Sequence, residues 1–253
     1  MPLSKKQIFD FLEEKYSLYN NVSFIENDPV QIPHLFSKKE DIEISGFLTA
    51  SIAWGQRKTI INNSIKLIKI MDYAPYEYIM NAKKQDYKLL DGFVHRTFNT
   101  SDCLYFLQSL RNIYKKHGGL ENVFSKKESI EDALIHFRKI FFEITPEKRT
   151  YKHVSDITKG ASAKRLNMYL RWMVRKDKRG VDFGLWNKIS PANLFLPLDI
   201  HTGNVARKLG ILKRQQSDWK AVCELTGYLR ELCPEDPVKY DFALFGLGIS
   251  EKF

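Results

Sequence analysis

Cysteine is scarce in this chain, alternating strand patterns are missing, and no apolar run reaches membrane-spanning length. Each absence argues against a class of protein. The three cysteines, Cys103, Cys223 and Cys233, are odd in number and far apart, which fits a reducing cytoplasm better than a disulfide framework. Their spacing also lacks the clustering that a zinc or iron–sulfur site requires, so no metal and no cofactor is expected. The opening MPLSKKQIFDFLEEKY has no apolar core of signal-peptide length, and no segment is long enough for a transmembrane helix. A cytoplasmic protein without a membrane partner is expected. There is no persuasive run of strand-like alternation, no internal repeat and no low-complexity tract. The expected architecture is therefore all-α.

What is present is a globular composition with an uneven charge. The 253 residues are 43% hydrophobic and 28% charged, enough for a substantial core in one large domain or in two lobes sharing a cleft. The formal net charge is +10. Residues 148–179 hold eleven basic side chains against only Asp156 and Asp177, so nearly the whole excess sits there. A solvated helix face would account for such a run; its concentration beside a tight turn points instead to a polyanion.

Helix signals recur along the chain. Ser4 to Gln7 matches a capping box opening a helix with Ile8, Phe11, Leu12 and Tyr16 inward. Ser37 to Glu40 matches a second, before a strongly apolar helix from Ile44 to Trp54. A break at Trp54-Gly55-Gln56-Arg57 precedes another helix, which Ala74-Pro75 is expected to end. Residues 83–100 form a mixed region containing Phe93-Val94-His95-Arg96-Thr97-Phe98, in which the aromatics anchor a loop and Arg96, a cation interleaved with them, could touch a nucleic acid. Asp102 and Ser129 are expected to cap the next two helices. An amphipathic helix spans 217–232, and Asp236-Pro237 starts a last one.

Two stretches carry chemistry. In HVSDITKGASAKRLNMYLRWMVRK a turn at Lys159-Gly160 leads into a helix with Leu166, Met168, Tyr169, Trp172 and Met173 at helical spacing. Lys164 falls in its first turn, where exposed N–H groups and the macrodipole disfavour a cation and so favour the neutral amine that Schiff-base chemistry needs. In PLDIHTGNVARKLG, Asp199 stands at the expected N-cap of a helix ending near Gly210. It reads equally as a cap and as a catalytic carboxylate.

Together these stretches resemble the helix-hairpin-helix DNA glycosylase superfamily. Gly160-Ala161-Ser162-Ala163-Lys164 is similar to its Gly-x-Gly-x-Lys hairpin, and Pro197-Leu198-Asp199-Ile200-His201 to its Pro-x-Asp-x-His segment. Ser162 replaces the second glycine, and 35 residues separate Lys164 from Asp199 because a connection over Asp177 to Phe195 is inserted. That long interval looks most like the archaeal 8-oxoguanine glycosylases. Closer still is a bacterial family of unassigned function related to them, sharing the FVHRTF, DIHTGNVARKLG and YDFALFGLG segments over nearly the full length.

The resemblance implies a single glycosylase-like helical domain over residues 1–253, two-lobed with a cleft between the lobes, with the helix-hairpin-helix region at about 129–176 and the catalytic aspartate segment at 197–210. It implies Lys164 as nucleophile and Asp199 as its partner in a bifunctional glycosylase and abasic-site lyase of base-excision repair, with an oxidised purine such as 8-oxoguanine as substrate. Gln56, at a helix-to-helix corner, and Asp241 and Phe245, one turn apart on the last helix, become base-pocket candidates. Lys159, Gly160, Ser162, Arg165, His201 and Arg96 become contacts to double-stranded DNA carrying a damaged base. The iron–sulfur cluster of some related glycosylases is expected to be absent. The alternative is a catalytically silent nucleic-acid-binding protein of the same fold.

Overall fold

A computed structural model describes residues 3–251 and Phe253. The described residues are overwhelmingly helical, with a single two-stranded hairpin, so the all-α class holds. In chain order the helices are α1 (Lys5–Tyr19), α2 (Ser23–Glu26), α3 (Lys39–Ser51), α4 (Arg57–Ile70), α5 (Pro75–Asn81), α6 (Thr100–His117), α7 (Leu120–Phe124), α8 (Ile130–Phe141), α9 (Lys164–Val174), α10 (Ile200–Lys208), α11 (Trp219–Leu232) and α12 (Tyr240–Gly246). Strands β1 (Val94–His95) and β2 (Phe98–Asn99) pair antiparallel, His95 opposite Phe98. None of these helices is long and apolar enough to cross a membrane.

The chain divides into two compact units, residues 25–155 and residues 1–24 with 156–253. The boundary at 155 falls inside the region 129–176.

In the 25–155 unit the core is aromatic. Phe47 of α3 stacks on Phe106 of α6 at 5.9 Å and meets Phe137 of α8 edge-on at 5.5 Å, while Phe124 stacks on Phe137 at 4.4 Å. Every residue of α3 from Ile42 to Ser51 is buried, so even Glu43 lies inside, where it accepts from the Tyr114 hydroxyl at 2.5 Å. In the other unit α1, α10, α11 and α12 share a core of Leu12, Val205, Ala206, Leu225 and Leu244.

The caps test the sequence readings locally. Ser4 forms its box with Gln7, and Ser129 and Asp199 cap α8 and α10. Three readings need correction. The cap of α3 is Lys38, with no side-chain bond, and not Ser37; the nearby Asp41 accepts instead from the Tyr76 N–H at the start of α5. Asp102 lies at the third position of α6, where it completes a capping box with the true cap, Asn99. Pro75 opens α5 and does not end α4: it occupies the first turn, where a missing N–H costs nothing, after Asp72 and Tyr73 reverse the chain at φ 51° and 53°.

Candidate functional site

The hairpin is built from local bonds. Asp156 caps a 3₁₀ turn, Ile157–Lys159, by accepting from the Thr158 N–H at 3.2 Å and its hydroxyl at 2.6 Å. Gly160 then takes φ 83°, a left-handed conformation that explains the glycine, since nothing lies within 4 Å of where a Cβ would stand. The turn is tied down by the Trp219 N–H, which donates to the Gly160 carbonyl at 3.0 Å, and by a single bridge between Ala161 and Asp218.

The second left-handed residue is not Ser162 but Ala163, buried, at φ 50° and ψ 31°. A serine at 162 therefore carries no backbone strain; its carbonyl accepts from the Asn167 side chain at 3.3 Å. The strain sits one residue later, immediately before Lys164, where a non-glycine residue in this region costs on the order of 1–2 kcal/mol. α9 begins at Lys164 with no side chain capping its first turn.

Lys164 is half-buried, and its Nζ lies 3.5 Å from Met168 Sδ. Among the described residues no carboxylate forms an ion pair with it. Asp199 is likewise half-buried: Oδ1 accepts from the Thr202 N–H at 2.9 Å, while Oδ2 accepts from no group among the described residues. The cap is thus real, and it occupies one oxygen only.

Asp241 of α12 joins these two. It is buried against Arg171, whose Nη1 donates to its Oδ2. Burial pushes its carboxyl up to about 6, the Arg171 guanidinium opposes that rise, the Asp199 charge adds to it and the Lys164 charge opposes it. Lys164 and Arg171 lie two turns apart on one face of α9, so the Asp241 that Arg171 holds lies along the face that carries Lys164, within the unit formed by residues 1–24 and 156–253.

The other candidates of this unit spread around that group. Phe245 is half-buried with its ring 6.2 Å from that of Phe24. Lys159 is exposed at the hairpin tip. Arg165 is half-buried, and burial pulls its guanidinium down to about 10, still cationic at neutral pH. His201 is exposed, but its backbone is closely packed: a Cβ on Gly248 would come within 2.9 Å of His201 Cβ and 3.4 Å of its Cα. Gly248→Ala should therefore force α10 and the Leu247–Glu251 turn that follows α12 apart, at a cost of about 1–3 kcal/mol, read as a lower melting temperature. An unchanged melting temperature would show that this contact gives way freely.

Gln56 and Arg96 belong to the 25–155 unit, where Arg96 lies against Gly55, the neighbour of Gln56 in the chain. Gly55 (φ 101°) turns the corner between α3 and α4, and the Arg96 side chain lies over it, its Nη1 2.8 Å from where a Cβ would stand. Trp54 is fixed from two sides, by His95 edge-on at 5.0 Å and by His153 stacked at 6.0 Å. Gln56 and Arg96, at the tip of the β1–β2 hairpin with φ 55°, are both exposed.

A family model described as "Protein of unknown function (DUF2400)" matches residues 28–250. The chain belongs to that family. The DUF2400 match takes in every candidate residue named above and leaves out α1. Neither the curated proteins nor the solved structures give a match.

The open positive face of this DUF2400 chain is smaller than its run of basic residues suggests, because part of that run forms a buried ionic cluster. Arg171 and Arg175 are buried in carboxylates, Arg149 is bound to Asp102 at 2.5 Å, and Arg179 donates to the carbonyls of Ser17 and Asn20. Of the eleven basic residues in 148–179, Lys148, Lys152, Lys159, Lys176 and Lys178 are the exposed ones. The signal for the cluster was available in the spacing. Lys164, Met168, Arg171 and Arg175 follow one another at intervals of four, three and four residues, a single face of α9.

Proposed function

We propose that this chain is a DNA glycosylase with abasic-site lyase activity, built on a two-lobed helix-hairpin-helix type of fold and acting in the cytoplasm on duplex DNA that carries an oxidised purine such as 8-oxoguanine. The observation that carries the reading is a half-buried lysine that forms no salt bridge among the described residues, together with an aspartate in the same unit whose second oxygen accepts from none of them. A base within a duplex is out of reach, so the damaged nucleotide is extruded first. The uncapped start of α9 and the hairpin turn before it offer backbone N–H groups to phosphate.

The Lys164 amine attacks C1′ of the sugar as the glycosidic bond breaks and the base departs with the bonding electrons. Asp199 Oδ2 stabilises the positive charge that develops on the sugar. The amine adduct opens the sugar to a Schiff base, and loss of the adjacent proton then expels the 3′ phosphate and cuts the strand. Lys159 and Arg165 contact the backbone, while Phe245 contacts the extruded base.

Incubation with duplexes bearing a single 8-oxoguanine or a single abasic site tests this. Strand cleavage at the lesion and a borohydride-stabilised covalent adduct are expected. Salt-dependent DNA binding with neither would overturn the enzyme and favour a silent nucleic-acid-binding protein.

A further inference from the structure

α9 carries more than the lysine. Arg171 donates through Nε to Asp182 Oδ1 at 3.3 Å and through Nη1 to Asp241 Oδ2, so one rigid guanidinium ties a carboxylate of the Asp177 to Phe195 connection to a carboxylate of α12. Its planar group also lies 4.3 Å from the centre of the Phe242 ring. Asp182 is held on its other oxygen by Arg175 at 3.1 Å. The connection itself is fastened to α9 by the Phe183 N–H on the Trp172 carbonyl at 2.8 Å and the Trp186 N–H on the Met173 carbonyl at 2.9 Å. Asp241 Oδ1 accepts from no group among the described residues.

Resting on the glycosylase reading, we infer that Asp241 is a positioning residue of the Lys164–Asp199 pair, its carboxylate held in place by Arg171 and, through Arg171, by Asp182. This goes beyond the base contact that resemblance suggests for Asp241, and it gives the inserted connection a purpose. Asp182 is the anchor that stops the guanidinium from swinging away. In its ionised state Asp241 adds a second negative charge to that of Asp199 in the field felt by the developing sugar cation.

The charged groups around Asp241 come from several elements. α9 supplies Lys164 and Arg171, α10 supplies Asp199, and the connection supplies Asp182. α1 packs on the same helix, but Glu13 is taken up by Lys239 and Tyr240, Tyr16 by Arg175 and Asp177, and Tyr19 by Glu251. Burial raises the Asp241 carboxyl and Arg171 is the main charge opposing that rise. Loss of Arg171 must therefore raise it further, whereas an amide at 241 does not titrate at all.

Borohydride trapping on an abasic-site duplex, followed between about pH 5 and about pH 8, separates this role from mere structural support. The wild-type rate should fall as pH drops through the Asp241 titration. Asp241→Asn should trap about tenfold or more slowly at neutral pH and lose that acid limb, and Arg171→Met should move the limb to higher pH. Where Arg171→Met fails to fold, the double variant Arg171→Met/Asp241→Asn removes both members of this link and should behave as Asp241→Asn does. Variants that trap at wild-type rate, or more slowly with the wild-type pH profile unchanged, overturn the inference alone. Wild-type protein that gives no adduct overturns the glycosylase reading and this inference with it.

Discussion

Replacing Asp199 by asparagine is expected to slow adduct formation by about 10²–10³-fold while leaving the melting temperature nearly unchanged. The two roles of this residue can be separated because they use different properties. As a cap, Asp199 needs only an oxygen that accepts from the Thr202 N–H at 2.9 Å, and asparagine is as good an N-cap as aspartate. What the substitution removes is the negative charge on the oxygen that does not cap. Loss of that charge at the start of α10 weakens the helix by roughly 0.3–1 kcal/mol through the macrodipole, too little to account for a large kinetic effect. If Asp199→Asn traps abasic DNA as fast as the wild type, Asp199 is a cap and nothing more.

The largest effect on stability is expected at Arg175. Its guanidinium is fully buried, forms an ion pair with Asp177 at 2.8 Å and donates to Asp182 at 3.1 Å, Asp236 at 2.8 Å and the Tyr16 hydroxyl at 2.8 Å. Burial alone would favour its neutral form, but these partners, Asp182 first and Asp236 next, hold the proton more firmly than in water. Arg175→Met strands those carboxylates without a counter-charge, which costs about 3–5 kcal/mol and lowers the melting temperature by on the order of 10 °C.

The sign of the pH dependence follows from the stranded acids. Asp236 is already raised by burial, against the pull of Arg175. Without Arg175 it binds a proton at still higher pH, so the deficit of the variant should shrink as pH falls through that range. Thermal melts of both proteins at neutral and mildly acidic pH check this. A deficit that is small, or equal at both, would mean that the cluster is not what holds the connection to α9.

Much of the local structure was legible from residue types. Ser4, Ser129 and Asp199 cap the helices they were expected to cap, and the apolar run from Ile44 foretold the burial of α3, although the helix ends at Ser51 and not at Trp54. Pro75 and Asp102 were misjudged for a common reason: each lies in the first turn of a helix, and sequence alone cannot distinguish a residue that precedes a helix from one that begins it. The FVHRTF segment gave no strand signal because each strand is only two residues long, held by the Trp54 and His95 contact and not by alternation.

The candidate site divides along the same line. Lys164 and Asp199 could be picked out because a turn and a cap announce them. The spacing places Arg171 and Arg175 on the Lys164 face of α9 but does not show their burial, because the charges that neutralise them lie up to 70 residues away, at Asp182, Asp236 and Asp241. Counted along the chain they looked like part of a DNA-facing surface; folded, they form the buried support of the residue beside Lys164.

The central claim is that Lys164 becomes covalently bonded to a sugar, and it is most directly tested by locating that bond. Wild-type protein incubated with an abasic-site duplex and borohydride, digested and mapped by mass spectrometry, should carry the reduced sugar remnant on Lys164, and Lys164→Ala should give no adduct. An adduct on another lysine, or equal trapping by Lys164→Ala, would contradict the account.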